Sequence, residues 1–284
     1  MQAVVWGPRL ANLSSCSWRK AFHLRAFSSS TSSDYSNQSR GGLPRFYSHV
    51  LPPSKGGVVR VEGDEFWHMT RVLRLSTNDR VELFNGKGSL IEGCIQRVDH
   101  AGLDFVALED PKLVSPQTVQ WHVFAAFGGR ADWLVEKCTE LGASSVTPLL
   151  TERSVTISEN RMDRLQRVIL AATKQCQRLH EMTLHPPMKI AGLFPIVLQS
   201  KFSFVAAAEA IPVISALNSS RKESSGLVII GPEGDFTEKE MNMMVEAGAI
   251  AVGLGPHRLR VETATMALMA TLMLWSDSQE QSTS

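Results

Sequence analysis

Two short motifs in this chain could hold a small ligand with main-chain atoms. Leu227-Val228-Ile229-Ile230 runs into Gly231-Pro232-Glu233-Gly234, and Ile250–Leu254 runs into Gly255-Pro256. Four-residue β-branched runs bounded by Gly and Pro mark buried strands in an α/β sheet. Ligands of such sheets sit beyond the carboxyl ends of the strands, so both corners could face one pocket. Gly231 and Gly234 have no Cβ, which leaves their N–H and C=O groups open to close approach. Nothing in the chain reads Gly-x-Gly-x-x-Gly or Gly-Lys-Ser/Thr, so neither a dinucleotide fingerprint nor a P-loop is present. Spacing alone fits two ordinary strand-to-helix turns equally well.

The surrounding elements must position these corners. Thr237 with Glu240 forms a capping box that starts a helix after the first corner, and Gly248 ends it. Leu259-Arg260-Val261-Glu262-Thr263-Ala264 opens a long apolar helix whose methionines, Met266 to Met273, suit a core or a subunit interface. Upstream, the spacing predicts strands at Val119–Phe127, Val146–Leu150 and Phe202–Ala207. It also predicts a helix over Ala131–Leu141, closed by Gly142, with Trp133, Leu134, Cys138 and Leu141 inward, and a helix capped by Asn160. Strand and helix alternate, so residues 117–277 should form a mostly parallel α/β sheet. His122 on a strand and His185 before Pro186-Pro187 read as packed or solvated groups.

Residues 43–114 read as a small β-rich domain. Strands are expected at Val58–Val61, Val81–Phe84, Ser89–Ile95 and Leu103–Leu108, with a hairpin at Asn85-Gly86. Asp64–Leu75 has helical spacing: Asp64 could cap it, and Phe66, Met69, Val72 and Leu73 could form its buried stripe. His68, Arg71 and Arg74 are then left outward, either as a solvated face or, with Arg45, Arg60, Arg80 and Arg97, as a phosphate-binding patch. Pro111 to Pro116 reads as a linker.

Composition narrows the class. The 284 residues, 43% hydrophobic and 20% charged, allow two ordinary globular domains. A net charge of +1 gives no global drive toward nucleic acid, so any RNA contact must be local. Cys16, Cys94, Cys138 and Cys176 are scattered without a Cys-x-x-Cys pair, which argues against zinc and a disulfide framework. No apolar run approaches a membrane span. Residues 1–42 are basic and Ser-rich, with no acid before Asp34, the composition of an organellar transit peptide for a mitochondrion or chloroplast. Residues 278–284 are expected to be a disordered tail.

Ile-Ile-Gly-Pro-Glu-Gly, followed after a helix and a strand by Leu-Gly-Pro-x-x-Leu-Arg-x-Glu-Thr-Ala, resembles the RsmE family. These are SPOUT-class methyltransferases that modify a uridine of small-subunit ribosomal RNA at ring nitrogen 3. Gly128-x-Arg130-x-Asp132, Lys137-x-Thr139-Glu140-Leu141-Gly142, Thr151-Glu152-Arg153-Ser154 and Gln175-Cys176-x-Arg178 match further family motifs, as does His68-x-x-Arg71-Val72-Leu73-Arg74. The resemblance implies a SPOUT α/β domain with a trefoil knot, preceded by a PUA-like β-barrel that holds the RNA, in a homodimer. It implies S-adenosylmethionine as cofactor, held by Ile230, Gly231, Pro232, Glu233, Gly234, Leu254, Gly255, Pro256, Leu259, Arg260, Thr263 and Ala264. It implies RNA contacts by Arg45, His68, Arg71, Arg74, Arg130, Arg153 and Arg178. The chain departs from the pattern at Phe127, Gln177, His180, Asp235 and His257, where several basic or glycine positions are replaced.

Methylation at that nitrogen requires loss of the imide proton and in-line attack on a sulfonium methyl, and no metal. Positioning and stabilisation of charge on the uracil ring would carry the rate. Arg260 and Arg178 are the expected stabilising groups, since a guanidinium stays charged and can grip an oxyanion with two bonds. Arg260 could instead pair with Glu262 or Glu233. Glu262 is a possible base, but a carboxylate at a helix start also complements the dipole. Two further readings stay open: an RNA-associated assembly factor that keeps the fold without catalysis, and a ribose 2′-O-methyltransferase.

Overall fold

A computed structural model describes residues 42–116, 118–154, 158–218 and 223–281. The expected transit segment, apart from Gly42, lies outside these residues. The first sheet is built from β1 (Arg45–Tyr47), β2 (Val58–Glu62), β3 (Arg80–Phe84), β4 (Ser89–Val98), β5 (Gly102–Ala107) and β6 (Lys112–Leu113), with α1 (Gly63–Trp67) between β2 and β3. The strand order is β1-β3-β4-β5-β2, and β6 pairs with β4. Alternation places Val81 and Leu83, Ile91 and Ile95, and Leu103 and Phe105 on one buried face with Phe46, Met69 and Leu75. The presumed linker therefore contains a paired strand.

The segment after β2 departs from a simple amphipathic helix. Gly63 begins it, Glu62 occupies the N-cap position without a side-chain bond, and Asp64 does not cap it. At His68 the helix widens into a π turn, His68–Val72, in which Leu73 N donates to His68 O at 3.0 Å. The extra residue rotates the register. Met69 stays in the core while Val72 turns out, and Leu75 fills the place expected of it. The β3–β4 hairpin has a four-residue turn: Asn85 Oδ1 accepts from Lys87 N and Ser89 N, and Gly86 and Gly88 supply φ of +70° and +88°.

The second sheet follows β7 (Gln120–Ala125), α2 (Ala131–Glu140), β8 (Ser145–Leu150), α3 (Glu159–Gln175), β9 (Thr183–Leu184), β10 (Met188–Lys189), α4 (Ile190–Gln199), β11 (Ser203–Pro212), α5 (Val213–Asn218), β12 (Ser225–Ile230), α6 (Glu238–Glu246), β13 (Ile250–Gly253) and α7 (Val261–Gln281). The order is β10-β8-β7-β12-β11-β13, all parallel, with β9 off β8. Both faces are buried, as a parallel sheet requires. Val123, Val146, Phe204 and Val228 face one core with α2, α3 and α7, while Phe124, Leu149, Val205 and Ile229 face another with α4 and α6. Several boundaries differ from expectation. Ser158, not Asn160, occupies the α3 N-cap position, and Trp133 on α2 points outward. Residues 278–281, expected in a tail, are helical as the end of α7, and 282–284 lie outside the described residues. Among the described residues no helix is long and apolar enough to cross a membrane.

Close packing makes one substitution diagnostic. A Cβ on Gly93 of β4 would lie 2.2 Å from Phe105 Cζ and 2.3 Å from Val106 O. Gly93→Ala should destabilise the protein by about 2–3 kcal/mol, whereas Gly129→Ala, with open space around it, should be near neutral. Urea unfolding of the two variants checks this.

Candidate active site

The two Gly-Pro corners share one cavity. β12 and β13 are not neighbours; β11 lies between them and pairs with both. All three strands run parallel, so their carboxyl ends open on the same edge. β11 is interrupted there: Ala206 and Ile211 both register with Val252, and the residues between them bulge from the ladder. A Cβ on Gly253 would meet Ala210 O at 2.8 Å, so glycine is needed where the bulge rejoins β13. The bulge supplies Ala206, Ala207, Ala208 and Glu209 to a cavity of about 410 Å³.

Of the residues expected at a cofactor, Ile230, Gly231, Pro232, Leu254, Gly255, Pro256, Leu259 and Ala264 line this cavity. Glu233, Gly234, Arg260 and Thr263 stand outside its lining. Asp235, His257, Arg258 and Val261 complete the wall. The volume falls in the range of small-molecule and cofactor pockets. The wall is mostly small apolar side chains and main chain, which suits an extended ligand read by backbone groups. Gly255 has φ +112°, a conformation that a side chain strains.

The first corner is braced by two arginines, Arg153 beyond the cavity lining and Arg258 within it. Arg153 Nη1 donates to Gly234 O at 2.6 Å, and Arg258 Nη2 donates to Glu233 O at 2.5 Å. Glu240 ties the same region together: it accepts from Thr237 N at 2.8 Å within the capping box and from Glu152 N at 3.2 Å. Gly234 thus meets Arg153, and a Cβ there would lie 3.3 Å from Arg153 Cδ. Arg153, expected at RNA, is committed to the corner. Arg258 stands one step past His257, which takes the place of the family's arginine after Gly-Pro; the β11 bulge carries no motif. The Ala206-Ala207-Ala208 run at a strand end was the one signal available for the bulge.

The expected catalytic residues are separated. Arg260 is exposed between cavity residues Leu259 and Val261, and among the described residues it pairs with neither Glu262 nor Glu233. Glu262 is 6% exposed and outside the cavity lining, its Oε1 3.5 Å from where a Gly128 Cβ would sit. Arg161 Nη2 donates to the carbonyl of the same Gly128 at 2.7 Å. Arg178 lies elsewhere, in a second cavity of about 380 Å³ beside Val114–Pro116 and the end of α2. It donates to Thr139 O at 3.0 Å and Gly142 O at 3.4 Å, and burial pushes its guanidinium below the ordinary value. These carbonyls close α2, so Arg178 neutralises a helix carboxyl end. His122 bonds Ser145 Oγ at 2.8 Å, and burial followed by nearby His185 lowers its pKa, as a packed histidine should show.

The first sheet's arginines sort by partner. Arg45 chelates Glu82 at 2.8–2.9 Å, Arg60 binds Asp99 and Asp104, and Arg80 binds Glu92. The Arg60 hydrogen bond holds the Asp99 carboxyl well below the carboxylate range. The expected seven-residue patch is thereby reduced. Arg71, Arg74 and Arg97 remain exposed and make no ion pair among the described residues, and the His68 ring sits edge-on to Phe46 at 5.9 Å. Arg130 is exposed at the start of α2.

This architecture, with a β-rich PUA-like domain before a parallel sheet whose cofactor-sized cavity opens at the strand ends, defines an RNA methyltransferase of the SPOUT type. Residues 115–273 match the RNA methyltransferase domain family, and residues 61–107 match the RNA methyltransferase PUA domain. The chain belongs to the RNA methyltransferase domain family, and the resemblance to RsmE proteins holds. It is 28% identical over 230 residues to the ribosomal RNA small subunit methyltransferase E of Mycobacterium bovis, spanning 77% of this chain and 87% of that protein. It is 27% identical to the Bacillus subtilis protein of the same name over 229 residues, 75% and 88% of the two chains. The crystal structure of the Neisseria gonorrhoeae methyltransferase E bound to S-adenosyl methionine is similar at 26% identity and TM-score 0.65, covering 83% of this chain and 99% of that one.

Two departures from the family pattern have a backbone cost. Gln177 and Asp235, which stand at glycine positions, have φ of +55° and +59°. A side chain in the left-handed region costs about 1–2 kcal/mol, less for Asp. Gln177→Gly should stabilise the protein by about 1 kcal/mol and raise Tm by roughly 2–4 °C; Asp235→Gly should do so by less. Calorimetric melting reads both.

Proposed function

We propose that this protein transfers a methyl group from S-adenosylmethionine to ring nitrogen 3 of a uridine in small-subunit ribosomal RNA. The observation that carries the reading is the single cavity shared by both Gly-Pro corners. Ile230–Pro232 and Leu254–Pro256 would hold the cofactor by main-chain groups, with Ala206–Glu209 as a third wall. Bound there, the cofactor supplies an electrophilic sulfonium methyl. The chain of relatives named methyltransferase E, and the cofactor-bound structure of one of them, support the substrate and the cofactor.

Residue roles follow from placement. Arg260 sits between cavity residues Leu259 and Val261 and makes no ion pair among the described residues, so its charge would stabilise negative charge developing on the uracil ring. Arg153 and Arg258 fix the first corner by its carbonyls, leaving the remaining main-chain groups oriented toward the cavity. Glu262, buried beside Gly128, positions the Gly128–Arg130 loop against α7 and is not assigned as the base. Arg178 acts as a positioning residue at the end of α2. The first domain, residues 43–114, holds RNA through Arg71, Arg74 and Arg97, and residues 117–277 form the knotted catalytic domain.

The reading extends to assembly and location. A homodimer through α7 is supported by its apolar surface, where Leu274 is 71% exposed near the chain end. Import into a mitochondrion or chloroplast is supported by the basic, acid-free composition of the first residues.

Isothermal titration should show S-adenosylmethionine binding to the wild type and none to Ala207→Phe, which fills the cavity from its partly exposed bulge. Arg260→Gln should lower kcat about 100-fold with little change in cofactor affinity. Nucleoside mass spectrometry of small-subunit RNA incubated with enzyme and cofactor should show a base-methylated uridine. A ribose-methylated product instead would assign the 2′-O reaction, and absence of cofactor binding would leave an assembly factor.

A further inference from the structure

The turn between β2 and β3 concentrates three locally unfavourable features in eight residues. Trp67 is 61% exposed although it closes α1. The next five residues form a π turn, a geometry uncommon in helices and frequent at functional sites. Arg74 follows with φ +57°, a left-handed conformation that costs a non-glycine residue stability. Met69 within the π turn and Leu75 after Arg74 pack into the core, and Leu75 N donates to Met69 O at 2.9 Å, so the segment is anchored on its buried side while Trp67, Arg71 and Arg74 stay exposed.

The charges around Trp67 are selective. Arg71 is one turn on from Trp67 and Arg74 closes the segment; both are exposed and make no ion pair among the described residues. Elsewhere on this sheet Arg45, Arg60 and Arg80 are neutralised by carboxylates. The acids on either side in sequence are Asp64 and Glu65 in the first turn of α1 and Asp79, whose carboxylate accepts from Ser76. Glu65, on the same helix, lies 3.8 Å from Lys174 of α3, which fixes α1 to the second domain.

We propose that Trp67 is a stacking platform for an unpaired base of the RNA substrate, with Arg71 and Arg74 holding the flanking phosphates. An indole face stacks on any base, and unpaired guanidiniums beside it neutralise the backbone on either side of that base. An RNA duplex stacks its base faces on one another and offers this surface phosphates, 2′-hydroxyls and base edges but no free base face along its length. The patch therefore selects a single-stranded or looped segment next to the modified uridine. This inference rests on the reading of the first domain as the RNA holder.

Fluorescence anisotropy of the full chain tests it with two probes, a labelled oligouridylate and a blunt RNA duplex with the same number of phosphates. Trp67→Ala should weaken oligouridylate binding about tenfold, leave duplex binding and the salt dependence unchanged, and be rescued by Trp67→Phe. Arg71→Gln and Arg74→Gln should weaken both probes and each reduce the slope of log affinity against log salt by about one. Unchanged oligouridylate binding by Trp67→Ala, or equal loss on both probes, overturns the stacking role while the arginine effects preserve the RNA-holding domain. No effect from any of the three variants overturns both. Because Trp67 is exposed, matching melting curves will confirm that the variants are folded.

Discussion

The position of β11 between β12 and β13 is the constraint on which the site depends. Parallel pairing puts all three carboxyl ends on one edge, and the bulge after Ala206 then opens the space between the two corners. An uninterrupted β11 would continue its ladder with Val252 and Gly253 and close that space with its own side chains. The glycine at position 253 is the local condition for the bulge, since any Cβ there collides with Ala210 O. Cavity, corner conformation and sheet order are thus one packing solution.

The first corner shows how side-chain donors stiffen the site. Its carbonyls at Glu233 and Gly234 accept from Arg258 and Arg153, and the capping box beneath it is buried through Glu240. Charge-assisted bonds to carbonyls are stronger than neutral ones. They hold the turn without filling the cavity. A preorganised main-chain cradle of this kind loses little entropy when a ligand arrives.

The corners, the capping box and most strands were legible in the sequence because each is local. Gly-Pro after a β-branched run, or Thr three residues before Glu, carries its geometry in a few adjacent residues. The order of strands does not: nothing near Phe202 states that β11 lies between two strands that come after it. Ion pairing is equally nonlocal. Arg45 and Arg60 looked available for phosphate until folding brought Glu82, Asp99 and Asp104 beside them. Arg153 and Arg178 resemble ligand contacts by motif, and folding also brings main-chain carbonyls of distant segments to them, Gly234 to Arg153 and Thr139 and Gly142 to Arg178. The π turn was hidden for another reason: one inserted residue leaves the apolar spacing almost intact while rotating Val72 outward.

The replaced positions around residue 178 find their reason at the junction of the two sheets. Gly88 N donates to Leu179 O at 2.8 Å and Glu181 N donates to Gly86 O at 2.7 Å, so the β3–β4 turn pairs with the strand-like segment after α3. His180 bridges to Lys87 in that pairing, and its ring takes the space that a Cβ on Gly88 would need. Arg178 joins the other side of the segment to the end of α2. A glycine replaced by Gln177 and a histidine at position 180 thus alter a joint between domains, remote from the cavity walls. Their chemistry is that of packing and helix termination. The cavity edge keeps glycine at 231, where a Cβ would meet the Phe236 ring at 3.0 Å, at 253, where it would meet Ala210 O at 2.8 Å, and at 255, whose φ of +112° strains any side chain.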